Sequence, residues 1–185
     1  MSKARLAAGL LALVLTVTQP LSARPALAAS AAAINRDANA VMVKLYEKHP
    51  DAKKLAAQAK AILIFPSIYK AGFMFGAQYG EGVLRRGNKS VAYYNTVAAS
   101  YGLQAGVQSF GYVLFFMTEP ALEYLDKSDG FELGVGPSIV VLDAGKAKTM
   151  TTTTMQNAIY AFIFDQRGLM AGMGLQGSKI SRIDR

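Results

Sequence analysis

Residues 62–82 read Ile-Leu-Ile-Phe-Pro-Ser-Ile-Tyr-Lys-Ala-Gly-Phe-Met-Phe-Gly-Ala-Gln-Tyr-Gly-Glu-Gly. A short apolar run reaches Pro66, a turn carrying Lys70 is expected next, and an extended segment follows with glycines at 72, 76, 80 and 82. Side chains alternate across a strand, so Gly72, Gly76 and Gly80 share one face while Phe73, Phe75, Ala77 and Tyr79 share the other. A helix would also align these glycines. It would lose roughly 1 kcal/mol for each relative to alanine, so the spacing predicts a strand. A face without side chains lets something pack very close to the backbone.

Outward from this stretch the chain reads as β from Ala61 onward, with strands expected near 61–65, 73–85 and 90–98. Arg85-Arg86-Gly87-Asn88-Lys89 reads as a hairpin tip with Gly87 and Asn88 in the turn. Residues 100–117 repeat the theme, with Gly102, Gly106 and Gly111 ahead of the run Tyr112-Val113-Leu114-Phe115-Phe116-Met117. That run does not alternate, which predicts burial on both faces, and it is far too short for a helical membrane span. Thr118 is placed to cap a short helix from Glu119 to about Leu125, with Pro120 tolerated in the first turn. Asp126-Lys127-Ser128-Asp129-Gly130 is expected to end it. Strands follow at about 131–142, then a polar segment at 143–154. A last pair is expected at 157–166 and 169–183, joined at Gln166-Arg167-Gly168. Lys70 and Arg167 thus occupy matching turns in two loosely echoing hairpins.

Upstream, Ile34, Ala38, Val41, Leu45 and His49 form one stripe of a 3.6-residue period, so residues 30–49 predict an amphipathic helix closed by Pro50. Asp51 is placed to cap a second helix running to Lys60, rich in alanine and carrying Lys53, Lys54 and Lys60. Before them, Lys3 and Arg5 precede the apolar run Leu6–Val17, and Ala26-Leu27-Ala28 has the small-x-small form of a cleavage site. Gln19, Pro20, Ser22 and Arg24 interrupt too early for a membrane anchor, which needs about 20 apolar residues. The expected organisation is a secretory signal peptide at 1–28, a helical segment at 29–60 packed on the domain, and a β-rich core at 61–185. The expected fold class is α+β. A curved, mostly antiparallel, barrel-like sheet is covered by two N-terminal helices and one short internal helix.

Composition narrows the function. The sequence has 20 basic and 12 acidic residues. Setting aside Lys3, Arg5 and Arg24 leaves 17 against 12, a net +5, below the basic density of a nucleic-acid binder. An exported chain makes anionic lipid headgroups the negative partner to expect. There is no cysteine, which excludes disulfides, a thiolate nucleophile and a lipid-modified N-terminal cysteine. His49 is the single histidine. It stands at a helix end, with no serine elbow elsewhere in the chain to pair with it.

Two local patterns fail on context. Gly172-Met173-Gly174-Leu175-Gln176-Gly177 matches G-x-G-x-x-G, but only eight residues remain, too few for the helix and acidic residue that a dinucleotide site requires. Asp126 to Gly130 lacks the ligand spacing of a calcium loop and reads as a turn. No cofactor, metal or catalytic residue is expected. The basic residues Lys70, Arg85, Arg86, Lys89, Arg167 and Lys179 are the candidate lipid-binding set. If their turns gather at one end of the sheet they form a patch flanked by Tyr69 and Phe73. Clusters of four to eight such residues hold anionic lipid at roughly 1 kcal/mol each.

The residues also carry a family resemblance. Ile64-Phe65-Pro66, Lys70-Ala71-Gly72-Phe73 and the glycines to Gly82 resemble the opening of a SYLF domain. Tyr101-Gly102-Leu103-Gln104-Ala105-Gly106 resembles its middle segment, and Arg167 to Gly177 its closing motif. Together they cover most of 55–183. The chain departs from the pattern in having no tryptophan, where a Trp-Ser pair is common before the middle strand and Ser90-Val91-Ala92-Tyr93 stands here. The resemblance implies a lipid-binding domain. Eukaryotic members bind phosphoinositides, some engage actin, and bacterial members are exported.

The sequence therefore predicts a non-catalytic protein that binds anionic phospholipid at the bacterial cell envelope. It is expected to be periplasmic or secreted, peripheral to the membrane, and free of nucleic acid. The alternative is a structural envelope protein that docks a protein partner through a sheet edge or its glycine face. A small outer-membrane barrel is disfavoured by the continuous central runs, where lipid-facing strands alternate.

Overall fold

The computed structural model describes residues 29–127, 131–132, 139–142, 157–168 and 178–185. The expected signal peptide, the turn at 128–130, the polar segment at 143–154 and the glycine alternation at 172–177 lie outside the described residues. The elements are helices α1 (Ala31–Lys48), α2 (Pro50–Gln58) and α3 (Glu119–Lys127) and strands β1 (Ala61–Arg86), β2 (Lys89–Phe116), β3 (Phe131–Glu132), β4 (Ile139–Leu142), β5 (Ile159–Gly168) and β6 (Lys179–Ile183).

The sheet is built on one long hairpin. β1 pairs with β2 from Ala61↔Phe116 to Arg86↔Lys89, and Gly87 (φ +57°) supplies the left-handed residue of the connecting turn. The other edge of β2 is shared, with β6 beside residues 93–97 and β5 beside residues 108–116, both antiparallel. β4 joins β5 in parallel and β3 joins β6. The expected α+β class and mostly antiparallel curved sheet are what the chain adopts.

Two strand boundaries differ from expectation. β1 and β2 are continuous, so Lys70 stands in mid-strand rather than in a turn. Pro66 is absorbed by a bulge between Phe65 and Ile68, where the ladder makes no use of its missing N–H. Arg167 likewise lies in β5 opposite Ser109, not in a connecting turn.

The close partner of the glycine face is β1 itself. A Cβ on Gly80 would lie 2.6 Å from the Ile68 side chain and 2.9 Å from the Ser67 carbonyl oxygen. One on Gly82 would press on the Ile64 carbonyl and lie 2.7 Å from the Phe65 ring. The hairpin curls until the two ends of β1 touch, and only hydrogen atoms fit at the contact.

This curl creates an inner and an outer face, each with its own core. Inside, Leu63, Phe65, Ile68, Leu84, Tyr94, Tyr112, Leu114 and Phe116 pack with Leu122 and Leu125 of α3. Outside, Ile64, Val83, Val113, Phe115 and Phe162 pack under Ile34, Val41, Met42 and Leu45 of α1 and Leu55 of α2. The run 112–116 is buried on both faces as its lack of alternation predicts. Burying each such aliphatic side chain contributes about 1.5–3 kcal/mol, so α1 is held by packing more than by its intrinsic helicity. Ser30 Oγ accepts from the Ala33 amide at the start of α1. Asp51 does not cap α2: Pro50 opens the helix after His49, and Asp51 accepts a hydrogen bond from Lys54 at 2.7 Å within the first turns. The His49 ring packs on Phe162 with centroids 5.5 Å apart.

Candidate functional site

The six basic residues singled out by sequence do not form one patch. Arg85 belongs to the framework: its guanidinium donates to Asn39 Oδ1 at 2.7 Å and to the Asn35 carbonyl at 3.1 Å, tying β1 to α1. Ser90 and Tyr93 complete this cluster around the Asn35 side chain, at 2.6 and 2.7 Å. Burial draws the Arg85 guanidinium below its usual value, with Tyr93 and Tyr46 opposing the shift. Arg86 faces Glu119 at 3.5 Å, an exposed ion pair worth little by itself. Lys89 is exposed at the hairpin tip.

Lys70, Arg167 and Lys179 form no ion pair among the described residues. They are nonetheless divided by the pleat. Lys70 pairs with Gln108, which is buried, so this row belongs to the inner face. Arg167 pairs with Ser109, which pairs with Tyr69, so this row belongs to the outer face. Lys70 and Arg167 stand in adjacent rows on opposite sides of the sheet. Lys179 pairs with Val97, which pairs with Tyr79, again on the outer face.

Arg167 stands at a cleft of about 300 Å³ between α1 and the sheet, lined by Asp37, Lys44, Tyr69, Ser109 and Asp165 among others. Its floor is irregular because three neighbouring strands depart from regular pairing at the same level: β1 at Pro66–Ser67, β2 at Phe110, and β5 at Asp165, whose φ is +49°. Asp165 takes Lys44 at 3.9 Å and Lys48 at 3.6 Å. This carboxylate, and the way it occupies two lysines of α1, has no sequence signal, since a bulge at an aspartate looks like any strand position.

Between the Arg167 row and the Lys179 row, the described side chains on the outer face of the hairpin are apolar and exposed. Tyr69, Phe73, Phe75 and Tyr79 are 62, 76, 69 and 47% exposed. On β2, Val97 and Val107 are 46 and 63% exposed. Ala71, Ala77 and Ala99 fill in between them. The inner face of the same segment is polar and buried. Gln78 donates to Ser178 Oγ at 3.3 Å, Thr96 and Gln108 are sequestered, and Gln108 Oε1 has no partner among the described residues. The Tyr112 hydroxyl is fully buried beside Thr96. Burial drives its pKa well above the usual range, with the Thr96 hydroxyl opposing. The hairpin middle is therefore inverted relative to a sheet in water, with its apolar side outward and its polar side inward.

Among the described residues no cluster of three or more His, Cys, Asp or Glu is arranged to hold a metal ion, and no helix is long and apolar enough to cross a membrane.

Residues 97–184 match the family model described as Ysc84, Las17-binding protein actin regulator. The match runs from Val97 in β2 through β6 and takes in the motifs at 101–106 and 167–177, while the motif at 64–82 lies outside it. No curated protein matches the chain. The family match is consistent with a SYLF domain family protein.

Proposed function

We propose that this protein binds anionic phospholipid surfaces without catalysis, working at the bacterial cell envelope after export. The observation that carries the reading is the pair Arg167 and Lys179. Both are exposed on the outer face and outside any ion pair among the described residues, and they border the uncovered apolar stretch from its two ends. No acidic side chain stands at the outer positions 71, 73, 75 and 77 between them, and cations beside such a stretch attract anionic headgroups with a strength that falls with salt. The SYLF family's association with lipid and with actin-regulatory partners supports a binding role. The expected export directs that role toward lipid rather than actin. Arg85 leaves the candidate ligand set because its hydrogen bonds hold α1.

Flotation with vesicles rich in phosphatidylglycerol, against pure phosphatidylcholine vesicles, tests this. Recovery is expected with the anionic vesicles alone, reduced by high salt and by Arg167→Glu with Lys179→Glu. Equal, negligible recovery from both vesicle types contradicts it. Envelope association that survives both charge reversals would favour a protein partner docked on the sheet.

A further inference from the structure

We infer that the outer face of the hairpin middle, Tyr69–Tyr79 of β1 with Val97–Val107 of β2, seats face down in the interfacial layer of an anionic membrane, its aromatic side chains below the headgroups. This inference rests on the lipid-binding reading and adds the surface and the mode of contact.

Three observations converge. First, the segment is inverted. In water a one-layer strand segment hides its apolar side and wets its polar side, whereas strands facing lipid do the opposite. Here Phe73 and Phe75 are more than two-thirds exposed while Gln78, Thr96 and Gln108 are buried. A sheet face of this kind has lost nothing if its neighbour is a bilayer, and it is costly if its neighbour is water.

Second, charge is arranged around the face and not on it. The row Tyr69–Ser109–Arg167 closes one end and the row Tyr79–Val97–Lys179 closes the other. The latter continues to Glu132 at the sheet margin. Outer positions 71, 73, 75 and 77 of β1, and 99 and 107 of β2, carry no charge. Tyr69 and Tyr79 stand in the two bounding rows themselves, and tyrosine is the residue type that prefers the headgroup level, where its ring is apolar and its hydroxyl wet. Arginine and lysine beside them complement lipid phosphates.

Third, the ladder limits the depth. Among the described residues β1 pairs with β2 alone, and an open sheet edge does not enter hydrocarbon. The face therefore lies flat at the interface rather than crossing the membrane. A second copy of the chain is the competing occupant of such a face. It would set Arg167 and Lys179 against a rim that carries the same two cations among acidic groups, whereas anionic lipid offers phosphate alone.

The chain has no tryptophan, so one introduced reporter is read alone. Phe73→Trp is placed in the face and Val43→Trp on the exposed side of α1, where Val43 is 56% exposed. With phosphatidylglycerol vesicles, Phe73→Trp emission is expected to shift to the blue and to be quenched by bromine on the acyl chains, while Val43→Trp emission keeps its water-exposed maximum. Phe73→Ser with Val107→Ser is expected to weaken partitioning about a hundredfold, the scale of losing two apolar side chains from the contact, with the melting temperature unchanged. Flotation on anionic vesicles with an unquenched Trp at 73 overturns the insertion and leaves the lipid-binding reading standing. Absence of flotation overturns both. A doubled mass in solution that falls to the single-chain mass in Phe73→Ser overturns it in favour of a dimer face.

Discussion

The outer face of the sheet has one composition and two fates. Under α1 and α2, Ile64, Val83, Val113 and Phe115 are sealed from water. One bend further along the same two strands, Phe73, Phe75 and Val107 continue the apolar face with no helix above them among the described residues. The covered half is fastened as well as covered: Arg85 reaches from β1 to two asparagines of α1, and Glu81 gathers Arg185, Tyr79 and the Ala29 amide. The bare half joins this cluster through Tyr79 at its margin, and no helix is fastened to it among the described residues. The same alternation of residues thus builds a core where a helix lies on it and a contact surface where none does. Hydrophobic periodicity identifies a face, and the covering element decides what that face is for.

Each half makes predictions that would break this division, in descending size. Gly82→Val places a branched side chain against the Ile64 carbonyl and the Phe65 ring, backbone and core that cannot yield. It is expected to cost about 3 kcal/mol or more, at the upper end of overpacking effects, and to abolish a cooperative thermal transition. A normal melt for this variant would show that the ends of β1 are not in contact. Arg85→Ala removes hydrogen bonds from a charged donor to α1, an expected loss of about 1.5–3 kcal/mol in denaturant unfolding. Flotation by the folded fraction should be unaffected. Reduced binding without reduced stability would return Arg85 to the ligand set.

A pH effect should come next. Burial works to raise the Glu81 carboxyl, but hydrogen bonds from Arg185, Tyr79 and the Ala29 amide outweigh it and hold the group below its usual range. A depressed carboxyl contributes stability that is fully present above its unfolded pKa. That contribution disappears as pH falls through the folded value. Melting temperature should therefore drop on acidification below the ordinary carboxylate range, and Glu81→Gln should flatten that dependence. The smallest effect belongs to the bare half. Phe73→Ser should change unfolding free energy by no more than about 0.5 kcal/mol, because the ring is mostly solvated already. A loss of several kcal/mol would mean that Phe73 is core.

Much of this architecture is legible in the residues. The glycine face and its aromatic opposite, the Gly87-Asn88 tip, the doubly buried run at 112–116, and the stripe Ile34, Ala38, Val41 and Leu45 each follow from period and turn chemistry. The candidate site was less legible because it depends on register. Lys70 and Arg167 resemble each other locally, but Lys70 pairs with Gln108 and Arg167 with Ser109, and one position of register moves a side chain through the sheet. The bulge that absorbs Pro66 is likewise invisible in a sequence where proline suggests the end of a strand. Arg85 reads as an exposed tip residue until α1 supplies its two asparagines.

Hydroxyl-radical footprinting of the chain with and without phosphatidylglycerol vesicles tests the division most directly, because aromatic side chains report their own exposure. The account predicts that Tyr69, Phe73, Phe75 and Tyr79 lose reactivity together on the vesicles while Tyr124, on α3, keeps its own. Protection confined to α1 or to the tip around Arg86 and Lys89, with Phe73 as reactive as before, would contradict it.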